Sequence, residues 1–91
     1  MPPVVEKKVE VLNTLGLHFR PATKLVKLAA QFESEITLTR KDRPLNAKSI
    51  MEILLLAAEQ GAILTLRVNG PDAEKAAQEI ATLFAKRFEE E

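Results

Sequence analysis

Residues 4–32 read VVEKKVEVLNTLGLHFRPATKLVKLAAQF, and this stretch changes from one hydrophobic period to another. Over residues 4–12 valine alternates with glutamate and lysine, which is the pattern of a half-buried strand. Residues 13–16 have the composition of a turn. Over residues 21–32 the apolar side chains recur at helical spacing instead, and Pro21 suits the first turn of a helix. The expected buried stripe of this helix comprises Ala22, Leu25, Ala29 and Phe32.

The rest of the chain continues this alternation of short strands and amphipathic helices. The expected elements are a hairpin over residues 35–47, a helix over 49–60, a strand over 62–68 and a last helix with a buried stripe of Ala73, Ala76, Ala77, Ile80 and Phe84. We expect the hairpin turn at residues 41–44 and its return strand at 45–47. Gly61 is expected to end the preceding helix, and Glu89–Glu91 to fray. The order βαββαβα predicts an α+β fold, a sheet with helices on one side, in a single domain spanning 1–91.

Composition and charge exclude several classes of function. Thirteen basic residues balance thirteen acidic ones, whereas proteins that bind nucleic-acid backbones usually carry a basic excess. The chain has no cysteine and one histidine, which excludes disulfides and disfavours a metal cluster. No apolar stretch is long enough to cross a bilayer, and residues 1–3 do not begin a signal peptide. We therefore expect a cytoplasmic protein without metal, cofactor, nucleic-acid partner or membrane insertion.

The one histidine, His18, lies between the first strand and the first helix. Backbone N–H groups at a helix start have no carbonyl partners and carry partial positive charge, so they attract anions. Arg20 follows two residues later, and a guanidinium pairs well with phosphate oxygens. An imidazole in this position is suited to accept an anionic group reversibly. By themselves the residues fit equally well a plain turn or cap at His18 beside a solvated Arg20.

The octapeptide of residues 16–23, GLHFRPAT, resembles the active-site signature of HPr, the histidine phosphocarrier family of the bacterial phosphoenolpyruvate:sugar phosphotransferase system. Residues 46–51, NAKSIM, resemble the family's second signature, and the element order is similar over nearly the whole chain. The resemblance implies an open-faced β-sandwich with a four-stranded antiparallel sheet and three helices on one face. It also implies a phosphocarrier that is not an enzyme. By default we expect a monomer. Enzyme I, using phosphoenolpyruvate, would phosphorylate Nδ1 of His18, Arg20 would support the group, and IIA proteins or domains would receive it.

Phe19 departs from the family pattern, in which a small residue usually follows the histidine. A bulky ring beside His18 either alters the preference for partners or folds back onto a neighbouring apolar surface. Lys24 and Lys27 lie on the polar face of the first helix and are candidates for steering acidic partners, although each is also an ordinary solvated lysine. The expected partner-binding residues are Phe19, Thr23, Lys24, Lys27, Ile50, Met51 and Leu54.

Ser49 precedes the second predicted helix, and Glu52 follows it at the spacing of a capping box. In many members of the family the matching serine is phosphorylated by HPr kinase/phosphorylase. The resemblance therefore makes Ser49 a candidate regulatory site and implies this kinase and a transcriptional regulator as further partners, while capping alone also explains the serine. The helix is apolar on nearly all sides, and we expect Ile53, Leu56 and Ala57 to enter the core and some of the other side chains to remain exposed.

Two further interpretations stay open. One is the nitrogen-related paralogue of HPr, which serves a regulatory phosphorelay. Phe19 and the acidic end fit that branch, whereas residues 48–51 are closer to ordinary HPr. The other is a ferredoxin-like, ligand-binding regulatory module, which shares the order of the first six elements but requires no histidine at a helix start. A hydrolase is disfavoured because no base–nucleophile pairing is evident.

Overall fold

A computed structural model describes residues 3–90 of the chain. Its strands are β1 (Val4–Glu10), β2 (Glu35–Arg40), β3 (Arg43–Asn46) and β4 (Ile63–Asn69), and its helices are α1 (Phe19–Ala29), α2 (Ile50–Leu55) and α3 (Ala73–Ala85), followed by a 3₁₀ turn at Arg87–Glu89. The strands pair antiparallel in the order β1-β4-β2-β3. The predicted α+β fold, a four-stranded antiparallel sheet with three helices on one face, is confirmed.

The core lies between the sheet and the helices. Along β4 the side chains of Leu64, Leu66 and Val68 are fully buried, whereas Ile63 before them and Arg67 between the last two face solvent. This alternation is what a sheet with one open face requires, because successive side chains point to opposite faces. The helices complete the core with the predicted apolar residues, which are Ala22, Leu25 and Ala29 of α1 and Ala73, Ala76, Ala77, Ile80 and Phe84 of α3. Phe32 is buried as predicted but lies beyond the helix, because α1 ends at Ala29 and not at residue 32.

The hairpin turn is tighter than predicted. Lys41 and Asp42 have φ values of 50° and 65°, as in the two-residue turn whose twist matches that of antiparallel strands. β3 therefore begins at Arg43 and includes Pro44, both of which the sequence pattern assigned to the turn. Proline is tolerated there because β3 is an edge strand that pairs only with β2. The return strand ends at Asn46 rather than residue 47.

α2 is shorter than predicted, since it ends at Leu55 and not near residue 60. Ala57 has a φ of 47°, and this left-handed conformation stops the helical hydrogen bonding before Gly61 is reached. Ile53 and Leu56 are buried as expected. The prediction for Ala57 is wrong, because this residue lies beyond the helix and is exposed.

The first helix starts earlier than its apolar stripe suggests. α1 begins at Phe19, so that Pro21 is its third residue and still lies in the first turn, where a missing N–H costs no hydrogen bond. The end of β1 also differs from the prediction, since the strand ends at Glu10 and not at residue 12.

Within residues 3–90, no helix combines the length and the apolar character that crossing a membrane requires.

The chain after α3 is ordered by an aromatic contact. The 3₁₀ turn buries Phe88 completely, and its ring centroid lies 4.8 Å from that of Phe84 in an edge-to-face arrangement. The expectation of fraying is therefore wrong for Glu89 and Glu90, which follow directly in this anchored turn. Glu91 lies outside the described residues.

Candidate functional site

His18 is the N-cap residue of α1. Its backbone is extended (φ −81°, ψ −170°), and its carbonyl accepts a hydrogen bond from the amide of Ala22 at 2.9 Å. The imidazole is half-buried and makes no capping hydrogen bond. The amides of Phe19 and Arg20 find no hydrogen-bond partner within residues 3–90, and Pro21 has no N–H. Two unpaired donors and the positive end of the helix dipole therefore lie next to the imidazole, which is an arrangement that favours an anion.

The loop before the histidine is fixed to two other segments. The amide of Leu17 donates to the carbonyl of Ala58 at 2.8 Å. Gly16 has a φ of 73° and packs so closely that a Cβ atom would overlap the Ala58 carbonyl oxygen. Asn13 is buried, and its Nδ2 donates to the carbonyl of Arg87 at 2.7 Å. The position of the histidine is thus set by the chain after α2 and by the C-terminal turn.

A carboxylate of the chain itself pairs with the cations of this site. Glu90 lies 3.2 Å from Arg20 Nε and 2.7 Å from Lys24 Nζ. The hydrogen bond from Lys24 lowers the pKa of Glu90 most, burial opposes this shift, and the charges of Arg20, Lys24 and His18 lower it further. Arg20, the residue expected to support a phosphoryl group, is thus paired with Glu90. The N-terminal end of α1 holds a negative charge even without a ligand.

We expect Glu90→Gln to be less stable than the wild type at neutral pH, because an amide cannot form the ion pairs with Arg20 and Lys24. The folded-state pKa of Glu90 is lowered from 4.5. The stabilising contribution of the carboxylate is therefore complete above pH 4.5 and is lost as the pH falls through the folded-state pKa. Urea unfolding at neutral and at acidic pH measures the difference, with the exposed neighbour Glu89→Gln as control. A difference that persists unchanged at acidic pH would contradict this account.

The polar residues predicted on α1 are partly engaged within the protein. The Thr23 hydroxyl donates to the carbonyl of Phe19 at 2.8 Å. Lys24 donates to the carbonyl of Phe88 at 2.8 Å and also pairs with Glu90. Its charge is therefore already paired with a carboxylate of the same chain. Lys27, in the last turn of α1, is exposed and keeps its charge available for a partner.

Exposed apolar side chains surround the histidine. The ring of Phe19 is 63% exposed, so it does not fold back onto the protein. Leu15, which the sequence pattern placed in a turn without a further role, is 76% exposed. These two side chains and Leu54 of α2 line the same shallow depression as His18. Met51 and Leu55 extend the exposed surface along α2, and Ile50 is half-buried. Leu15 and Leu55 are additions to the predicted partner surface.

Ser49 caps α2, but only one half of the predicted capping box forms. Its Oγ accepts a hydrogen bond from the amide of Glu52 at 3.3 Å. The Glu52 carboxylate does not return to the amide of Ser49; it accepts from the amide of Asn46 at 2.9 Å. The amide of Ser49 donates instead to the Asn46 carbonyl at 3.1 Å. Ser49 is half-buried at the start of the helix.

Comparison with known proteins identifies the family. The family model described as the PTS HPr component phosphorylation site matches residues 5–86. The chain belongs to the HPr family. The phosphocarrier protein HPr of Xylella fastidiosa (strain Temecula1) is 44% identical over 88 residues, which cover 97% of this chain and 99% of that protein. The crystal structure of HPr-C-His from Thermoanaerobacter tengcongensis is similar with a TM-score of 0.92 and 38% identity, over 96% of this chain and 98% of that one. The phosphocarrier protein NPr of Shewanella violacea is 38% identical over 86 residues, 94% of each chain.

Membership of the HPr family makes the chain a phosphocarrier of the phosphotransferase system, and it argues against the ferredoxin-like module. The residue that sequence reasoning missed at this HPr site is Glu90. Its acidic neighbours resemble a solvated tail, and no local signal connects it with Arg20, which lies at the other end of the chain. The signal that was available is the apolar Phe88 two residues earlier, since an apolar ring inside a charged end indicates an anchored turn.

Proposed function

We propose that the protein accepts a phosphoryl group on Nδ1 of His18 from phosphorylated enzyme I and passes it to IIA proteins or domains. It acts in the cytoplasm as a monomeric single domain of residues 1–91, without metal or cofactor, and it is a substrate of phosphotransferases rather than an enzyme. The observation that carries the proposal is the position of His18 at the start of α1, beside two unpaired amides and the cations Arg20 and Lys24.

The transfer step follows from this arrangement. A nitrogen–phosphorus bond forms at His18 as the bond from phosphorus to the donor atom of enzyme I breaks, and the negative phosphoryl oxygens arrive beside the amides of Phe19 and Arg20. The new anion repels the Glu90 carboxylate and competes with it for Arg20. Because Arg20 keeps an ionic partner before and after the transfer, the step does not require an isolated guanidinium. Transfer to a IIA protein is the same exchange in reverse.

The exposed apolar side chains support docking to partner proteins. Leu15, Phe19 and Leu54 line the depression that contains His18, so a partner that reaches the imidazole must contact them. Burial of exposed apolar surface is the usual driving force for such contacts. Lys27 of α1 is exposed, and its positive charge adds attraction to an acidic partner surface.

Ser49 is the proposed regulatory site, with HPr kinase/phosphorylase and a transcriptional regulator as the corresponding partners. A phosphate on Ser49 would lie at the start of α2, where the helix dipole favours negative charge. It would also place this charge next to Ile50 and Met51 on the proposed docking surface. Docking of enzyme I onto Ile50 and Met51 would then have to remove water from the neighbouring phosphate, which is unfavourable. Phosphorylation of Ser49 would therefore weaken docking and slow transfer to His18.

The sugar branch and the nitrogen branch are distinguished by the enzyme I that phosphorylates the protein. The exposed ring of Phe19 keeps the nitrogen-related paralogue as the second candidate. Initial rates of phosphorylation are measured with phosphoenolpyruvate and each type of enzyme I, on the wild type and on Ser49→Asp. We expect faster phosphorylation by the sugar-type enzyme, and a lower rate for Ser49→Asp. Phosphorylation by the nitrogen-type enzyme alone supports the second candidate, and none with either enzyme contradicts both.

A further inference from the structure

Arg40, the last residue of β2, joins the sheet to the segment that follows α2. Its Nη1 donates to the carbonyls of Leu56 and Ala57 at 3.3 and 3.4 Å. Its Nη2 contacts both carboxylate oxygens of Glu59, at 2.6 and 2.9 Å. The Arg40 side chain is 21% exposed, whereas that of Glu59 is 67% exposed. One side chain therefore fixes the backbone of residues 56–57 and the side chain of Glu59 together.

The segment held by Arg40 needs such support. Ala57 adopts a left-handed conformation with a φ of 47°, which is unfavourable for a residue with a Cβ. The carbonyls that Arg40 binds belong to the end of α2, where carbonyls lack helical partners and a cation is favoured. A hydrogen bond from the backbone amide of Glu59 to its own carboxylate lowers the pKa of this carboxyl most, and the hydrogen bond from Arg40 lowers it further. The carboxylate is thus kept ionised for the pair.

The same segment contacts the loop that carries the histidine. The carbonyl of Ala58 accepts the amide of Leu17, the residue before His18, at 2.8 Å. A Cβ placed on Gly16 would lie 3.0 Å from Glu59 Cα, so these two backbones are in direct contact. A shift of residues 57–59 must therefore move the backbone of Leu17 and, with it, the N-cap of α1.

We propose that Arg40 is a positioning residue for phosphoryl transfer, acting through the Ala57–Glu59 segment on the backbone before His18 and making no contact with the phosphoryl group. This inference rests on the proposed function. The simpler alternative is that Arg40 and Glu59 form a surface ion pair of little consequence, as most exposed pairs are. The two carbonyl contacts and the left-handed Ala57 distinguish Arg40 from such a pair. Arg67, which pairs with Glu6 at 3.4 Å on the open face of the sheet, is the ordinary case.

The test compares Arg40→Gln and Arg40→Lys with the control Arg67→Gln in the full chain. Two quantities are measured on each folded variant: the rate of phosphorylation of His18 by enzyme I with phosphoenolpyruvate, and the hydrogen-exchange rate of the Leu17 amide. For Arg40→Gln we expect faster exchange at Leu17 and transfer slower by about tenfold, since a misplacement of 1 Å can cost about a hundredfold. Arg40→Lys keeps the positive charge but loses the planar guanidinium that contacts two groups at once, so its transfer and exchange rates are expected to lie between those of Arg40→Gln and the wild type. The control Arg67→Gln is expected to match the wild type in both rates.

Two outcomes contradict the inference, and each has its own meaning. Unchanged transfer in a folded Arg40→Gln means that Arg40 only contributes an ion pair. Slower transfer with unchanged exchange at Leu17 means that Arg40 contacts the partner directly. If Arg40→Gln does not fold, Arg40→Lys is judged by the same two measurements, because it also loses the simultaneous contacts of the guanidinium with the two carbonyls and Glu59. Absence of phosphorylation in the wild type is a different result, because it removes the proposed function itself.

Discussion

Replacing Gly16 by alanine is expected to destabilise the fold and slow phosphoryl acceptance together. The position has a φ of 73°, and the added Cβ would overlap the backbone carbonyl of Ala58, which cannot rotate away as a side chain can. The left-handed conformation costs alanine about 1–2 kcal/mol, and the overlap adds about 1–3 kcal/mol. Because Gly16 lies two residues before His18, relief of the overlap must displace the N-cap of α1.

Gly61→Ala is the matched control for this substitution. Gly61 also has a positive φ, 91°, but a Cβ there would meet nothing within 4 Å. This variant should lose only the conformational part, about 1–2 kcal/mol, and keep the wild-type rate of phosphorylation. Chemical denaturation gives the free energy of unfolding, and transfer from enzyme I gives the rate. Equal losses of stability in the two variants, with equal rates, would show that the contact with Ala58 does not constrain the loop.

Phe88→Ala is expected to cause the second large effect. The ring is fully buried against Phe84, and truncation of a buried phenylalanine typically costs about 3–5 kcal/mol, a large part of the roughly 5–15 kcal/mol that stabilises a domain. The ring also anchors the turn from which Glu90 reaches Arg20. Without the ring, the left-handed residues Arg87–Glu89 lose the packing that compensates for their strain.

The same change at an exposed phenylalanine provides the control. Phe19→Ala removes a ring that is 63% exposed, and exposed substitutions usually change stability by less than about 0.5 kcal/mol. Thermal or urea unfolding of both variants, side by side, measures the contrast. Phe19→Ala is also expected to weaken docking while leaving the fold intact, so the two variants separate a structural from a functional aromatic residue. Similar stability of the two variants would contradict the anchored C-terminal turn.

Most of the fold could be predicted because it depends on local periodicity. The alternation of Leu64, Leu66 and Val68 with exposed residues identifies β4, and the stripe from Ala73 to Phe84 identifies α3. Element ends were less predictable where a single residue adopts a left-handed conformation without being glycine. Ala57 and Lys41 do so, and their stabilising partners come from elsewhere in the fold or from the twist of a hairpin. No sequence window contains that information.

The candidate site also has a part that the sequence predicts and a part that it does not. His18 and Arg20 are close in sequence and belong to one helix start, so their proximity could be predicted from the residues alone. The contacts of Glu90 with Arg20, and of Arg40 with Glu59, join positions far apart in the chain and depend on how the sheet and helices pack. The identity of the anion as a phosphoryl group did not follow from chemistry. It came from the family resemblance, which the match over residues 5–86 confirms.

Phosphorylation of His18 is the central claim, and intact mass spectrometry tests it most directly. The wild type and His18→Ala are incubated with enzyme I and phosphoenolpyruvate, and the mass of each protein is measured before and after brief acid treatment. We predict that the wild type alone gains one phosphoryl group and that acid removes it, as expected for phosphohistidine. A phosphoryl group that is also present on His18→Ala, or no gain of mass in the wild type with any enzyme I, would contradict the account.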